Sequence, residues 1–220
     1  MLCFILSVSL TGCKKNKKEK PKNTTSSLTS STSKTELKTE SETQTPTVSP
    51  EEFVENWIIA TNKPDANYID GNTLFSGEEF YKKLAEMNNT DVSEYYKTQS
   101  GGKATDYKSF MEYNNSLRLN YFTSTFGTAD VKTTVKSLKS EPLDENCLNL
   151  IKETFLDFDY LDPSAIKSPI LVTANYTLTG GNTSQDFTEY YIIVDYKGNY
   201  KYFVHTDDLD TLNDTINTTK

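Results

Sequence analysis

The chain has 220 residues and a formal charge of −8, with 31 Asp and Glu against 23 Lys and Arg. Residues 14–50 hold eight Lys and four Glu, which leaves 15 bases against 27 acids, or −12, for residues 51–220. A body of that sign repels phosphate backbones and anionic surfaces, so nucleic acid is excluded as a partner.

The chain opens on an apolar run, Leu2 to Leu10, that ends in Leu10-Thr11-Gly12-Cys13. The run is too short for a membrane-spanning helix, which needs about 20 apolar residues, and its small residues before a cysteine resemble a bacterial lipobox. Residues 1–12 are therefore expected to be a lipoprotein signal peptide, a shortened one because Met1-Leu2-Cys3 carries no Lys or Arg. Cys13 is the expected lipidation site, and the lipid would hold the protein on the outer face of the bacterial cytoplasmic membrane.

Residues 13–50 read as a tether. Lys14-Lys15-Asn16-Lys17-Lys18-Glu19-Lys20-Pro21-Lys22 is followed by a Ser, Thr, Lys and Glu tract with only Leu28, Leu37 and Val48 to bury. So little apolar surface does not offset the entropy of ordering. A pliant linker of this length reaches roughly 30–37 Å. Each lysine near an anionic leaflet adds about 1 kcal/mol, a useful supplement to a marginal single-chain anchor; the plainer alternative is a charge run that serves solubility only. The three cysteines form no disulfide framework: Cys3 leaves with the signal, Cys13 takes lipid, and Cys147 remains as a small hydrophobe on an amphipathic helix. Exported without disulfides, and rich in Lys, Asn and Tyr, the chain fits a Gram-positive surface.

Residues 51–206 suffice for one domain with a real core, and no internal repeat is visible. Ser49-Pro50-Glu51-Glu52 predicts a capped helix with Phe53, Val54, Trp57 and Ile58 on one face, stopped near Pro64. Residues 63–75, with Asp70-Gly71, read as turn. A second capping box, Ser76-Gly77-Glu78-Glu79, predicts a helix with Phe80, Leu84 and Met87 inward, and a short helical turn follows over 91–96. The longest period-3.6 segment, 105–126, places Tyr107, Phe110, Met111, Asn114, Leu117, Tyr121 and Phe122 on one face and stops at Gly127.

The period then shortens to two at 131–135, a predicted strand, and a helix after Pro142 carries Cys147, Leu148, Ile151 and Phe155. Residues 157–168 read as irregular. Three strands close the domain, over 170–178, 187–194 and 200–204, with turns at Gly180-Gly181-Asn182 and Lys197-Gly198-Asn199. Helices first and strands last imply an α+β domain: N-terminal helices packed on a curved antiparallel sheet that wraps the long helix. Residues 207–220 are a polar C-terminal tail.

Capped helices, a strand, a charged helix and a closing meander with Tyr190-Tyr191-Ile192-Ile193-Val194-Asp195, Gly198 and Tyr200-Lys201-Tyr202-Phe203 resemble the nuclear transport factor 2-like superfamily, in its Gram-positive lipoprotein form. The resemblance spans roughly residues 50–206, with Tyr200 or Tyr202 where that superfamily carries Trp. It implies a cone whose mouth holds a small ligand, in a superfamily of enzymes, binding modules and structural domains.

No catalytic signature stands out. The single histidine, His205, is read as an exposed strand-end residue; an acid/base role would need a second group within hydrogen-bond reach. No nucleophile elbow or phosphate cradle is present. The acidic runs Asp157-x-Asp159-x-x-Asp162 and Asp207, Asp208, Asp210 and Asp214 lack an EF-hand's glycine and final Glu and read as solvated surface, so no metal or cofactor is expected. Trp57, Tyr121, Tyr176 and Tyr191 are the candidate ligand-binding residues, with plain core packing as the competing role. The expected function is a non-enzymatic, lipid-anchored binding or interaction module for a small molecule or an envelope protein. The alternative is a small-ligand enzyme with an acid/base site at His205.

Overall fold

The computed structural model describes residues 46–75 and 77–210. The signal peptide, Cys13, the tether up to residue 45, Ser76 of the second capping box and the tail beyond residue 210 lie outside the described residues. No described helix is long and apolar enough to cross a membrane.

Among the described residues, six α-helices precede or interrupt the strands. In α1 (Pro50–Asn62) the Ser49 hydroxyl accepts the Glu52 N–H at 3.1 Å, Pro50 occupies the first helical turn, and Phe53, Val54, Trp57 and Ile58 are buried. Residues expected as turn contain α2 (Ala66–Asn72). Asp65 explains it: its carboxylate accepts the Tyr68 N–H and caps a helix that begins just past Pro64, so Asp70-Gly71 lies inside a helix. α3 (Gly77–Met87) buries Phe80, Leu84 and Ala85, but Met87 is 51% exposed rather than inward. It sits on the last helical residue, where Asn88 turns its amide back to the Leu84 carbonyl and the chain departs through Asn89 at φ 52°.

α4 (Val92–Gln99), capped by Asp91, runs a turn longer than expected. α5 (Tyr107–Phe126) has a reciprocal capping box between Asp106 and Ser109 and ends on Gly127 in the left-handed region. Its expected continuous apolar face divides in two. Phe110 packs with Tyr96 and Ala104, Phe122 and Phe126 pack on the sheet, and Met111, Asn114 and Leu117 between them are only half-buried. α6 (Glu145–Thr154), capped by Asp144, buries Cys147, Leu148 and Ile151.

The strands β1 (Lys132–Pro142), β2 (Ile166–Gly180), β3 (Thr183–Tyr196) and β4 (Asn199–Thr206) form one open antiparallel sheet in the order β1-β2-β3-β4. β1 therefore runs to Pro142, β2 begins inside the segment read as irregular, and β3 starts four residues before Phe187; cross-strand hydrogen bonds extend elements beyond their apolar stretches. Register shifts at Val135/Ser137, Lys167/Ile170 and Ile192/Ile193 each add local bend and twist. The molecule is α+β, with helices followed by an antiparallel meander.

Strand alternation gives the sheet two different faces. Val172, Ala174, Tyr176, Tyr191 and Ile193 pack under α1 and the C-terminal part of α5. Leu171, Ile192 and Val194 pack on the other side against Leu74, Phe80, α6 and Phe155. The edge at β4 is partly covered by a parallel bridge from Thr73 and by the Leu74 N–H donating to the Tyr202 carbonyl at 3.0 Å. The other edge, β1, carries Lys132, Lys136 and Lys139, charges that oppose edge-to-edge pairing.

Two hairpin turns set the meander's register. Lys197 (φ 55°) and Gly198 (φ 78°) are both left-handed, as a type I′ turn requires. In the β2–β3 turn only Gly181 is left-handed (φ 55°), and a Cβ there would lie 2.7 Å from the Phe126 carbonyl oxygen, so this turn presses on the end of α5. Gly181→Ala is expected to cost about 2 kcal/mol or more through strain plus collision. Gly71→Ala, helical and in open space, should gain up to about 1 kcal/mol. Urea-unfolding midpoints of the two variants check this; equal effects of one sign would contradict the turn's proposed tightness.

Candidate functional site

On the face of the sheet beneath α1 and α5, side chains of unlike chemistry form a connected chain. Trp57 of α1 stacks on Tyr202 of β4, rings 4.2 Å apart and 11° from parallel. The Tyr202 hydroxyl is 2.7 Å from His205 Nδ1, and the His205 ring stacks on Tyr191 at 5.2 Å and 15°. The Tyr191 hydroxyl in turn donates to Glu189. Tyr176, stacked on Phe187 at 5.2 Å, lies beside the same carboxylate.

Register explains the convergence. Val172 pairs with Tyr191, Ala174 with Glu189, and Tyr191 with His205, so these residues share one face. Opposite Glu189 stands the small Ala174, fully buried, which leaves space over the carboxylate for the Tyr176 and Tyr191 rings on either side. Glu189 is 8% exposed, an acid inside a largely apolar layer.

A cation approaches from above. Arg118 of α5, half-buried, donates from Nη2 to Asn62 Oδ1 at 2.6 Å and places its guanidinium 5.4 Å from the Phe122 ring centre. No described carboxylate comes within 4 Å of it. Asn62, on the last turn of α1, is 3% exposed. Two donors of this pair, Arg118 Nε and Asn62 Nδ2, are buried and have no acceptor. Burial works against the Arg118 charge, opposed by the field of Tyr176, Tyr191 and Glu189. Burial first, then the Glu189 charge, holds the Tyr176 and Tyr191 phenols protonated far above their usual range.

All four aromatic residues picked from the sequence fall in this one cluster: Trp57, Tyr176 and Tyr191 are buried, and Tyr121 is half-buried at its margin. His205 is corrected. It is a half-buried member of β4 whose ring is sandwiched into the network, because the pairing with Tyr191 turns it toward the helices rather than out to solvent.

The polar members Arg118, Asn62, Glu189 and Tyr202 escaped the sequence reading. One signal was available: Arg118 is the sole arginine of a lysine-rich chain, and a planar fork is not interchangeable with an ammonium. Asn62 carries no comparable signal, since its burial depends on where α5 crosses α1.

A separate groove of about 200 Å³ opens where α2 meets β4, lined in part by Asp70, Tyr160, Tyr196 and Lys201. Its polar atoms are already engaged. Asp70 accepts from Tyr107 at 2.5 Å, Tyr160 donates to the Leu74 carbonyl, Tyr196 accepts the Asp162 N–H, and Lys201 donates to the Gly71 carbonyl. Cys147 is buried in the opposite core layer, its thiol pushed up to about 11 by burial and by Asp144, which makes it a poor nucleophile.

Burial also depresses the His205 pKa below its ordinary value of 6.5; Glu189 and Asp207 oppose the shift and Arg118 reinforces it. The native state thus favours neutral imidazole. Stability is intact above the unfolded-state pKa and declines as pH falls through the native one, with a slope of at most about 1.4 kcal/mol per pH unit. The urea midpoint should therefore drop between pH 7.5 and 5.5, and His205→Gln should reduce that drop; an unchanged drop in the variant would contradict it.

No family model matches the chain, and no curated protein or solved structure matches it.

Proposed function

We propose that the protein is a lipid-anchored, extracytoplasmic binding module that takes a small polar ligand on the helix-facing side of its sheet. The observation that carries this reading is the buried network of Arg118, Asn62, Glu189, Tyr191 and His205 within an aromatic layer. Folding alone gains little from burying a cation, an acid and an imidazole together, because desolvation offsets much of their attraction. Polar groups kept in such a place are available for recognition.

The anchoring half of the proposal rests on the Leu10-Thr11-Gly12-Cys13 lipobox and the polar tether, and the ligand-holding cone on the resemblance to the nuclear transport factor 2-like superfamily. The register shifts between neighbouring strands, each a site of added bend and twist, are in keeping with such a cone. A second reading, an enzyme using His205, draws on one specific observation: His205 shares a face with Glu189, with only Tyr191 between them.

Two measurements test this. Cys13→Ala should release the protein from membranes or leave it unprocessed, as fractionation and intact mass would report; equal membrane retention with normal processing would refute the anchor. Incubation of the purified chain with cell-wall fragments and metabolite mixtures should raise its melting temperature. A ligand at a hundredfold excess over Kd stabilises by about 2.7 kcal/mol. Trp57, the single tryptophan, reports on the same face by fluorescence. Chemical turnover of such a ligand, lost in His205→Gln, would favour the enzyme instead.

A further inference from the structure

We infer that the ligand carries a carboxylate, held by Arg118 and Asn62 together. This rests on the reading of the helix-facing side as a binding site, and it goes further by naming the chemistry that site selects.

The argument starts from unmatched donors. Arg118 Nε and Nη2 lie on one edge of the guanidinium, the edge whose parallel N–H groups match the two oxygens of a carboxylate. Asn62 Oδ1 accepts from Nη2 and thereby fixes the amide flip, which turns Nδ2 into a further donor beside the same cation. Nε and Nδ2 are both buried without an acceptor. A buried donor without an acceptor keeps its full desolvation penalty.

Charge points the same way. Arg118 has no carboxylate within 4 Å among the described residues, in a domain that carries a large excess of acids. Glu189, the nearest acid in the network, is engaged by Tyr191 and does not close on the guanidinium. A cation with one orphaned donor of its own, bonded to an amide that carries another, accepts an oxyanion. The fork pairs with carboxylate and phosphate alike, but a singly charged carboxylate costs less to desolvate in this aromatic layer than a phosphate dianion, and the Trp57, Tyr121 and Phe122 rings of the same layer suit an apolar body behind it. Leu117, Arg118 and Tyr121 are only half-buried as residues, so the cover over the guanidinium is incomplete although Nε itself is buried.

The test uses the full chain with acetate, benzoate, benzamide and inorganic phosphate at matched ionic strength, with melting temperature and Trp57 fluorescence as readouts. Benzoate should give a saturable rise in melting temperature that benzamide does not reproduce, with acetate weaker than benzoate and phosphate weaker than either. Arg118→Lys, which keeps the charge but loses the fork, should weaken benzoate at least tenfold. Asn62→Asp supplies the missing carboxylate from within: it should raise the melting temperature of the free protein and abolish the benzoate response.

Benzamide acting as strongly as benzoate would overturn the carboxylate assignment while leaving a binding site in place. Phosphate binding more tightly than benzoate would overturn it in favour of a tetrahedral anion. Indifference to all four probes, or an Asn62→Asp variant that responds to benzoate like the native chain, would show that water alone satisfies the pair and would end the proposal.

Discussion

The register of the β2–β3 hairpin is the constraint on which the rest of the molecule depends. Strand side chains alternate with a period of two, so a slip by one residue would carry Glu189, Tyr191 and Ile193 from the layer beneath α1 to the opposite face. Leu171, Ile192 and Val194 would move the other way, and both core layers would lose their filling. What pins the register is a two-residue turn at Gly181-Asn182, itself lodged against the end of α5. Strand pairing, helix placement and the polar network are thus one specification rather than three.

The two faces meet different demands. The side against α3 and α6 is almost wholly apolar, a layer of Leu, Ile and Phe with one inert thiol. The side against α1 and α5 is built from larger aromatic rings that have polar ends, and these ends find one another: phenol on imidazole nitrogen, phenol on carboxylate, guanidinium on amide. Tyrosine suits this layer because its ring contributes buried area and its hydroxyl remains available for pairing. The same layer then retains donors that the fold itself leaves unused.

α5 connects the layers mechanically. Phe110 anchors its first half among Tyr96 and Ala104, and Phe122 and Phe126 anchor its last turns on the sheet. Its middle, from Met111 to Arg118, is held from both ends and packs less completely, which leaves an incompletely covered approach to Arg118 and Asn62. A helix buried along its whole length would have closed that approach.

Much of the fold was legible in the residues. Ser49 is a cap, Gly127 is a stop, Gly181 and Gly198 are turns, and the apolar periods of α1, α3, β2 and β3 name most of their buried residues, because each signal acts within a few residues of its cause. α2 is hidden in the sequence because Pro64 and Asp70-Gly71 resemble a turn and the cap at Asp65 is a single side chain. Met87 reads as inward because periodicity does not register where a helix runs out of neighbours. By itself, then, the sequence determined most of the elements, their order and the aromatic residues Trp57, Tyr121, Tyr176 and Tyr191 of the candidate site. Only the tertiary structure decided that His205 is drawn in beside Tyr191, that Asn62 closes on Arg118 across 56 positions of chain, and that Glu189 lies buried among phenols. The physical reason is that such contacts are fixed by strand register and helix crossing, which are long-range outcomes of packing and leave no mark on the local pattern of residues.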